Sequence, residues 1–447
     1  MKQFDYPDEV AAVLERLRSG GYEAYLVGGC VRDFLSGIRA KDHDIATSAK
    51  PEEVKGVFHD HTVIETGIKH GTVTVLSGGS PVEVTTFRTD GEYPDRRRPS
   101  EVSFTDSVVE DLSRRDFTVN AIAYSPESGL IDPFGGVDDL KSKIIRAVGD
   151  PEKRFSEDPL RILRGMRFAS VTGFEVEDYT AKSMISSGHL LNFVSAERIG
   201  KEFTDMICGK AVEDVLLRFR DIVSVIIPEL NDSFDHDQMN PHHCYDIYTH
   251  SVRTAAALPS ESVLRLAGLL HDIGKPETFS VGADGVGHFY GHAKISAEIT
   301  EKVCLRLKLD SYTVRTVTEL VRRHDYMIEP EMKYIRRAVS KFGEDLFLKL
   351  MELKRADGLA ADPGDPTKQD LITKLISLYE QMVEEDLCFK IGDLAINGDD
   401  LIAAGIPEGQ RIGRLLDACL QAVISDELQN THDVLISYAI IENQKNI

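Results

Sequence analysis

The feature that most constrains the fold of this chain is a change of pattern near residue 137. Before it, short runs rich in β-branched residues alternate with amphipathic stretches, as in GTVTVLS at 71–77 and PVEVTTFR at 81–88. Runs of this kind predict strands, and the stretches between them predict helices. After residue 137 helical periodicity dominates. The sequence therefore predicts an α+β protein in which a small domain with a mixed sheet is followed by all-helical domains.

The length of the chain indicates several domains. With 447 residues it is too long for one compact core. Polar stretches at 231–246, which is rich in histidine, and at 362–368, DPGDPTK, are natural boundaries. The expected domains are an α+β head at 1–137, a helical neck at 138–230, a second helical domain at 240–362 and a helical tail at 368–447.

The charge of the chain is unevenly distributed. Its net charge of −22 argues against a general nucleic-acid binder, because contacts to phosphates need lysine and arginine. Residues 141–170 nevertheless hold eight basic side chains against four acidic ones, and Arg96, Arg97 and Arg98 form a second basic cluster. Such a local stripe favours one shaped RNA substrate over indiscriminate binding, with ordinary solvated surface as the alternative.

The six cysteines are scattered and include no CxxC pair, which indicates free thiols in a reducing compartment. The sequence contains no apolar run approaching the roughly 18 residues of a membrane span. The N-terminal MKQFDYPDEV also lacks the apolar centre of a secretion signal. We therefore expect a cytoplasmic protein without a membrane partner.

Asp42 and Asp44 form the first candidate site. They lie two apart on a predicted strand, HDIAT, so alternation places both carboxylates on one face. Two carboxylates so close repel unless a divalent cation lies between them, and hard oxygen ligands suit Mg²⁺. Two such ions can activate an attacking 3′-hydroxyl and stabilise a pyrophosphate leaving group. Alone, such a pair is more often a strand end or a turn on the surface.

The residues around this pair strengthen the functional interpretation. Gly28 and Gly29 close the strand AYLVGG, and a helix is expected from Cys30. Glycines let backbone N–H groups approach a triphosphate, and Arg32 can pair with phosphate oxygens. Glu83 on PVEVTTFR is either a third carboxylate beside the first two or a solvent-facing strand residue.

The arginine-rich stretch 156–170 predicts a single helix, with Ser156 or Asp158 as its cap and Pro159 in its first turn. Asp158 and Arg161 would then share a face. A carboxylate accepts and a guanidinium donates, which matches the amino donor beside a ring-nitrogen acceptor of cytosine and adenine. Uracil and guanine would leave buried groups unpaired, at about 1–3 kcal/mol each. The alternative is an ordinary helix salt bridge.

A second constellation combines a lone histidine, a His-Asp doublet in LLHDIGK and a distant aspartate, which is the pattern of an HD domain. The candidate ligands are His250, His271, Asp272 and Asp357. Imidazole and carboxylate ligands suit a transition metal, Mg²⁺ or Mn²⁺, which can activate water for phosphoester hydrolysis. His292 and His324 are further candidates, and Lys275 could neutralise a phosphate.

Five motifs follow one another in the first 170 residues: LVGGCVRDFLSG, KDHDIAT, DLSRRDFTVNAIAY, DPFGG and RFSEDPLRILRGMRF. In order and spacing they resemble the class II tRNA nucleotidyltransferases, which include CCA-adding enzymes and bacterial poly(A) polymerases. VSAERIGKEF at 194–203 resembles a further element of that family, and FKIGDLAINGDDLIAAGIPEG at 389–409 resembles its tail, which would contact tRNA. The resemblance implies a head similar to DNA polymerase β-like nucleotidyltransferases.

The resemblance also implies roles for individual residues. Metal binding and catalysis fall to Asp42 and Asp44, and base selection to Asp158 and Arg161. The residues expected to hold the triphosphate are Gly29, Arg32 and Arg115, and those expected to make further nucleotide contacts are Arg164 and Arg167. Asn120 would fix a turn, and Arg114 would be solvated.

The loop RTDGEYPDRRRP at 88–99 resembles the flexible loop that CCA-adding members need for the final A, and which CC-only relatives lack or shorten. The sequence therefore predicts template-independent addition of CCA to tRNA from CTP and ATP, with Mg²⁺ and without DNA as a partner. Poly(A) addition is the close alternative. Others are a phosphohydrolase of the HD type, acting on RNA 2′,3′-cyclic phosphate ends, with an inactive head, and a non-enzymatic RNA-binding scaffold.

Overall fold

The computed structural model describes residues 4–40, 42–91, 102–239, 244–361 and 366–445. The chain forms two compact units. One consists of Met1–Pro228 with Arg306–Leu309, and the other of Glu229–Leu305 with Asp310–Ile447.

The first unit begins with nine strands and five helices. The strands are β1 (Ala24–Val27), β2 (Asp44–Thr47), β3 (Val63–Ile64), β4 (Thr72–Ser77), β5 (Ser80–Thr86), β6 (Arg88–Asp90), β7 (Val102–Phe104), β8 (Ala123–Ser125) and β9 (Gly129–Ile131). The helices are α1 (Asp8–Ser19), α2 (Gly29–Leu35), α3 (Pro51–Val57), α4 (Val108–Ser113) and α5 (Gly136–Ser142).

Seven of these strands form one mixed sheet in the order β3-β4-β5-β2-β1-β8-β9. β2 and β5 run parallel, while the other neighbours are antiparallel. The β4–β5 hairpin turns at Gly78 and Gly79, whose φ values of +57° and +86° suit the two-residue turn that matches strand twist. β4 buries Val73 and Val75 on one face, as its alternating sequence predicts. The expected fold class is confirmed.

The rest of the first unit is mostly helical. Its helices are α6 (Pro151–Glu157), α7 (Leu160–Thr172), α8 (Asp178–Ser187), α9 (Ala196–Ile207), α10 (Val212–Arg218) and α11 (Arg220–Ile226). Two short strands, β10 (Ile144–Ile145) and β11 (Glu175–Val176), pair in parallel among them. These strands were not expected from the helical pattern, because each is only two residues long.

The single helix expected over 156–170 is wrong, because the chain breaks between α6 and α7. Pro159 has no N–H to donate and its ring clashes with the carbonyl one turn back. Asp158 precedes a proline and is extended, with φ −135° and ψ 98°. Its carboxylate accepts the N–H of Leu160 at 3.2 Å, so Asp158 rather than Ser156 serves α7 as a cap.

The second unit is also mostly helical. Its helices are α12 (Ile247–Ala257), α13 (Ser262–Leu270), α14 (Lys275–Thr278), α15 (His292–Arg306), α16 (Ser311–Arg323), α17 (Met332–Phe342), α18 (Glu344–Ala361), α19 (Pro366–Glu384), α20 (Gly398–Ala403), α21 (Gln410–Ile424) and α22 (His432–Lys445). One antiparallel strand pair, β12 (Ser280–Val281) with β13 (Gly287–His288), interrupts them.

The last three helices have their own apolar core, in which Leu401, Cys419 and Leu435 are fully buried. Arg336 on α17 ties this core to the preceding helices. Its guanidinium is buried and donates to the carbonyl oxygens of Cys388 at 3.0 Å and Val423 at 3.1 Å. The arginine thus satisfies carbonyl groups that would otherwise be buried without a donor.

DPFGG forms a turn, as expected, and its two positions require glycine for different reasons. Gly135 has a φ of +73° and precedes α5. Gly136 lies against the 3-10 helix that contains Thr118, and an added Cβ would lie 2.2 Å from the Thr118 carbonyl oxygen. The Asp132 carboxylate accepts the N–H groups of Gly136 and Val137, which fixes the start of α5. A hinge at this turn stays a prediction.

Gly136→Ala should lower the stability of the protein by about 1–3 kcal/mol, because the methyl group would force the two backbones apart. Gly56→Ala is the matched control, since Gly56 lies in α3 with open space around it. That substitution should be neutral or slightly stabilising. Thermal unfolding of both variants measures the difference, and equal midpoints would contradict the close packing.

Candidate functional site

Three carboxylates meet at one end of the parallel β2–β5 pair. The register places Asp44 opposite Glu83. Burial raises the pKa of Asp44, opposed by Arg115 and reinforced by Asp42. Burial also raises the pKa of Glu83, and Asp44 and Asp42 add to that rise. Glu83 is solvent-exposed and also lines the same cleft as Asp44, so its position fits both interpretations made from the sequence.

Asp42 departs from its expected position. It lies two residues before the start of β2 and is exposed, so only Asp44 belongs to the strand. The expectation that both aspartates lie on one strand is therefore wrong. The charges of Asp44 and Asp42 nevertheless both contribute to the raised pKa of Glu83.

The turn before α2 brings an arginine close to the backbone. Gly28 has φ +72° and ψ −129°, a conformation that side chains rarely adopt. A Cβ on Gly28 would lie 2.9 Å from Arg115 Nη1. The glycine is needed for both reasons, and Arg115 consequently lies directly beside the turn. α2 begins at Gly29, one residue earlier than expected.

Carboxylates and an amide orient the arginines of the cleft. Arg32 donates to Asn120 Oδ1 at 2.8 Å and to Asp33 Oδ1 at 2.7 Å. Asn120 ends a 3-10 helix and thereby fixes both the turn and Arg32. Arg114 and Arg115 both pair with the buried Asp111. The expectation that Arg114 is simply solvated is wrong.

The two residues predicted to select the base, Asp158 and Arg161, are each held by neighbouring residues and not by each other. Asp158 accepts Arg198 Nη2 at 3.0 Å. Arg161 donates to Glu157 at 3.1 Å and to the Arg114 carbonyl oxygen at 2.9 Å. The two side chains are therefore not explained as a helix salt bridge with each other. Sequence reasoning missed the role of Arg198, because VSAERIGKEF marks its segment as a family element but does not indicate its partner.

Arg164 is held by the carboxylate of Asp116, with Nη2 at 2.7 Å and Nε at 2.9 Å. Burial alone would raise the pKa of Asp116, but Arg164 and Asn120 outweigh it and lower the pKa to about 2. Arg167 donates to Glu202 at 2.6 Å. Asp116, which follows Arg115 in the sequence, therefore anchors Arg164.

A cleft of about 450 Å³ brings most of the predicted residues together. Of these, its lining includes Gly29, Arg32, Asp44, Glu83, Arg115, Asp158, Arg161 and Arg164. Among the described residues predicted from sequence, Asp42 and Arg167 fall outside that lining. The lining combines the carboxylates of Asp44 and Glu83 with the guanidinium groups of several arginines, which suits a nucleoside triphosphate.

The loop predicted at 88–99 falls largely outside the described residues, which resume at 102, and so do Arg96, Arg97 and Arg98. Its described base is a two-stranded ribbon, in which β6 pairs with β7 in antiparallel register.

The second constellation also assembles. His250 Nε2 lies 3.3 Å from His271 Nε2 and 3.0 Å from Asp357 Oδ1. Asp272 Oδ2 lies 3.1 Å from His271 Nε2. Burial alone would lower the pKa of His271, but the two carboxylates outweigh it and raise the pKa to about 10. All four predicted ligands thus face one point between α12, α13 and α18.

Asp272 belongs to two groups of three possible metal ligands. The first group is His250, His271 and Asp272, and the second is Asp272, His292 and His324. Asp272 Oδ1 lies 3.4 Å from His292 Nε2 and 3.6 Å from His324 Nε2. The ligand atoms of each triplet lie within 4.8 Å of one another. In both added histidines Nδ1 faces a backbone carbonyl, which directs Nε2 inward. Asp272 therefore bridges two possible cation positions.

A cleft of about 590 Å³ opens over this cluster. Lys275, Lys354 and Lys368 line it together with His271 and Asp272. Lys275 Nζ also lies 2.7 Å from Asp272 Oδ2. A cationic wall beside a metal-ligand cluster suits a phosphoester.

None of the helices in the described ranges is long and apolar enough to cross a membrane.

Three family models match the chain. Residues 24–146 match the poly(A) polymerase head domain. Residues 173–234 match a segment described as a probable RNA- and SrmB-binding site of polymerase A. Residues 242–362 match the HD domain.

Relatives match the chain over nearly its whole length. A CCA-adding enzyme of Lactobacillus delbrueckii subsp. bulgaricus is 34% identical over 439 residues, covering 96% of both chains. The crystal structure of the Bacillus stearothermophilus CCA-adding enzyme in complex with CTP is 30% identical with a TM-score of 0.71, covering 98% of both chains. The Thermotoga maritima CCA-adding enzyme complexed with tRNA shares the fold, at 19% identity, a TM-score of 0.62 and coverage of 98% and 97%. This chain therefore belongs to the family of the CCA-adding enzymes and carries an HD domain.

Proposed function

We propose that this chain is a CCA tRNA nucleotidyltransferase, which adds CCA to the 3′ end of tRNA from CTP and ATP without a template. One observation carries the proposal. A single cleft joins the carboxylates of β2 and β5 to Asp158 and Arg161, in a chain whose full-length relatives are CCA-adding enzymes. Poly(A) addition remains the runner-up, because the loop that would separate the two lies largely outside the described residues.

The carboxylates are the groups that would hold metal. Polymerase heads of this family use divalent cations, and we assign Mg²⁺ to Asp42 and Asp44, with Glu83 as a third ligand. Hard oxygen donors suit this ion. Burial, together with the neighbouring carboxylates, raises the pKa of Asp44 and Glu83, and a bound cation would favour their ionised forms. When bound there, divalent cations activate the attacking 3′-hydroxyl and stabilise the pyrophosphate leaving group.

Arginines in the same cleft would bind the nucleotide. Arg32 and Arg115 flank the Gly28–Gly29 turn, where guanidinium groups can donate to the triphosphate. Arg164 and Arg167 would contribute further nucleotide contacts. Because carboxylates already hold these guanidinium groups, less ordering is needed when the nucleotide binds.

Asp158 and Arg161 would read the base. Glu157 holds Arg161 and Arg198 holds Asp158, so that both side chains are fixed in the cleft before a base binds. Cytosine and adenine complement this pair, whereas uracil and guanine oppose it. One preformed pair can therefore serve both CTP and ATP without a template.

The partner of the cleft would be tRNA, bound in part by the neck segment that matches an RNA-binding model. We retain the division into a head at 1–137, a neck at 138–230, an HD domain at 240–362 and a tail at 368–447, with the tail contacting tRNA. The absence of DNA and membrane partners and the cytoplasmic location stay predictions.

The HD domain suggests a second activity, phosphoester hydrolysis. The observation in its favour is the pair of ligand triplets sharing Asp272 beneath a lysine-lined cleft. The ligands would be His250, His271, Asp272 and Asp357, with His292 and His324 holding a second ion. A divalent cation bound there activates water for attack on phosphorus. We propose RNA 2′,3′-cyclic phosphate ends as substrates, which would make this domain a repair partner of the transferase.

Asp44→Asn should reduce nucleotide incorporation about a thousandfold or more, because a lost metal ligand removes several kcal/mol of transition-state stabilisation. The measurement is transfer of labelled CTP and ATP to tRNA lacking its 3′ CCA. Asp138→Asn is the control, since Asp138 is exposed and pairs only across one helical turn with Lys141. An Asp44 variant with wild-type incorporation would contradict the proposed site.

Asp158→Ala should reduce the preference for CTP over UTP by about 10- to 100-fold, because the group that penalises uracil is removed. Single-turnover incorporation of each nucleotide measures the ratio. Asp178→Ala, at an exposed position on α8, should leave that ratio unchanged. A retained preference in the Asp158 variant would show that the base is read elsewhere, and sequencing the products separates CCA from poly(A).

His271→Ala should abolish hydrolysis of a 2′,3′-cyclic phosphate end while leaving CTP incorporation intact. His292→Ala tests the second triplet and should lower the hydrolysis rate as well. His189→Ala, at an exposed histidine in the first unit, is the control. Absence of hydrolysis by the wild-type protein with Mg²⁺, Mn²⁺ or a transition metal would contradict this activity.

A further inference from the structure

Phe168 lies where two arginines of the transferase cleft, Arg32 and Arg164, converge with the neighbouring Arg167. The Cζ atoms of Arg32, Arg164 and Arg167 lie over its ring, at 5.4, 5.4 and 4.5 Å from the centroid. Its side chain is 7% exposed and forms part of the cleft lining. No role was assigned to it from the sequence, where it reads as an ordinary apolar residue of an amphipathic helix.

The three guanidinium groups carry like charges and would repel one another around this point. Carboxylates balance part of that charge: Asp33 pairs with Arg32, Asp116 with Arg164, and Glu202 with Arg167. Glu202 also lies 3.7 Å from Arg164 Nη1 and so links Arg164 with Arg167, whereas Asp33 holds Arg32 separately. The negative face of an aromatic ring attracts cations, so one ring gives all three a common point of attachment.

The orientation of the ring is itself fixed. Phe117, fully buried in the motif RRDFTVNA, meets Phe168 edge to face, with centroids 5.8 Å apart and planes at 82°. Phe117 can approach because Gly165, one turn earlier on α7, has no side chain. A Cβ there would lie 3.0 Å from the Phe117 ring. Gly165, Phe117 and Phe168 therefore form a continuous packed path to the arginines.

We propose that Phe168 is a positioning residue for nucleotide addition, whose aromatic ring holds Arg32, Arg164 and Arg167 together at the nucleotide site. The inference rests on the proposed function of the cleft. An aliphatic side chain of equal size would fill the same space without attracting cations. The carboxylates would still hold the arginines, but more of their ordering would fall to the nucleotide, which weakens binding without altering the chemical step.

The test uses the full-length protein and lowers the negative charge on the face of the ring while keeping the size of the side chain. Phe168 is changed to mono-, di- and trifluorophenylalanine and to cyclohexylalanine, and CTP addition to tRNA lacking CCA is measured. We expect the KM for CTP to rise stepwise to about tenfold at the end of the series, with kcat and the thermal midpoint nearly constant. Phe168→Tyr, which keeps the aromatic face, should retain the wild-type KM.

Phe58 is the matched control. It is buried, and Arg16 lies over its ring at 5.3 Å, on the side of the head formed by α1 and α3. The same fluorinated series at Phe58 should leave the KM for CTP unchanged.

Three results would overturn the inference. A wild-type KM in the cyclohexylalanine variant would reduce Phe168 to a packing residue. A KM that rises only together with a falling thermal midpoint would do the same. Failure of the unmodified protein to incorporate CTP would overturn the proposed function itself, and the inference with it, and is distinguished by that wild-type reaction.

Discussion

The parallel pairing of β2 with β5 is the constraint on which the transferase cleft depends. It places Asp44 and Glu83 opposite each other in a sheet whose remaining pairs are antiparallel. A slip of one residue would turn Glu83 to the other face, since side chains alternate along a strand. The hairpin turn at Gly78 and Gly79 fixes the register of β4 against β5 and so helps to prevent that slip.

In this acidic protein, the arginines at the nucleotide site are paired with carboxylates that fix their orientation. Asp111, Asp116 and Glu202 are buried or nearly so and hold their arginines from the side away from solvent. The net charge of −22 is therefore compatible with a nucleotide site, because part of the acidic surplus serves to orient the basic groups. These acidic residues, whose charge in the sequence argues against phosphate binding, orient the arginines in the folded protein.

Local signals in the sequence predicted the head, the helical remainder and many of the residues that line the two clefts. The glycine turn and the HD doublet could be found because their chemistry is confined to a few adjacent residues. The break at Pro159 could also have been found, since its cause is local, but the strong helical pattern obscured it. The contact of Arg198 with Asp158 and the sharing of Asp272 could not, because both join elements distant in sequence. Only tertiary packing decides such pairs.

The buried guanidinium of Arg336 has a consequence for modularity. It belongs to a helix inside the segment that matches the HD domain, yet the carbonyl groups it satisfies belong to the C-terminal residues. A foreign C-terminal segment that covered Arg336 without offering these acceptors would leave a buried cation unpaired, at a cost of about 3–5 kcal/mol. The C-terminal helices can therefore be exchanged only together with this arginine or with a segment that supplies equivalent acceptors.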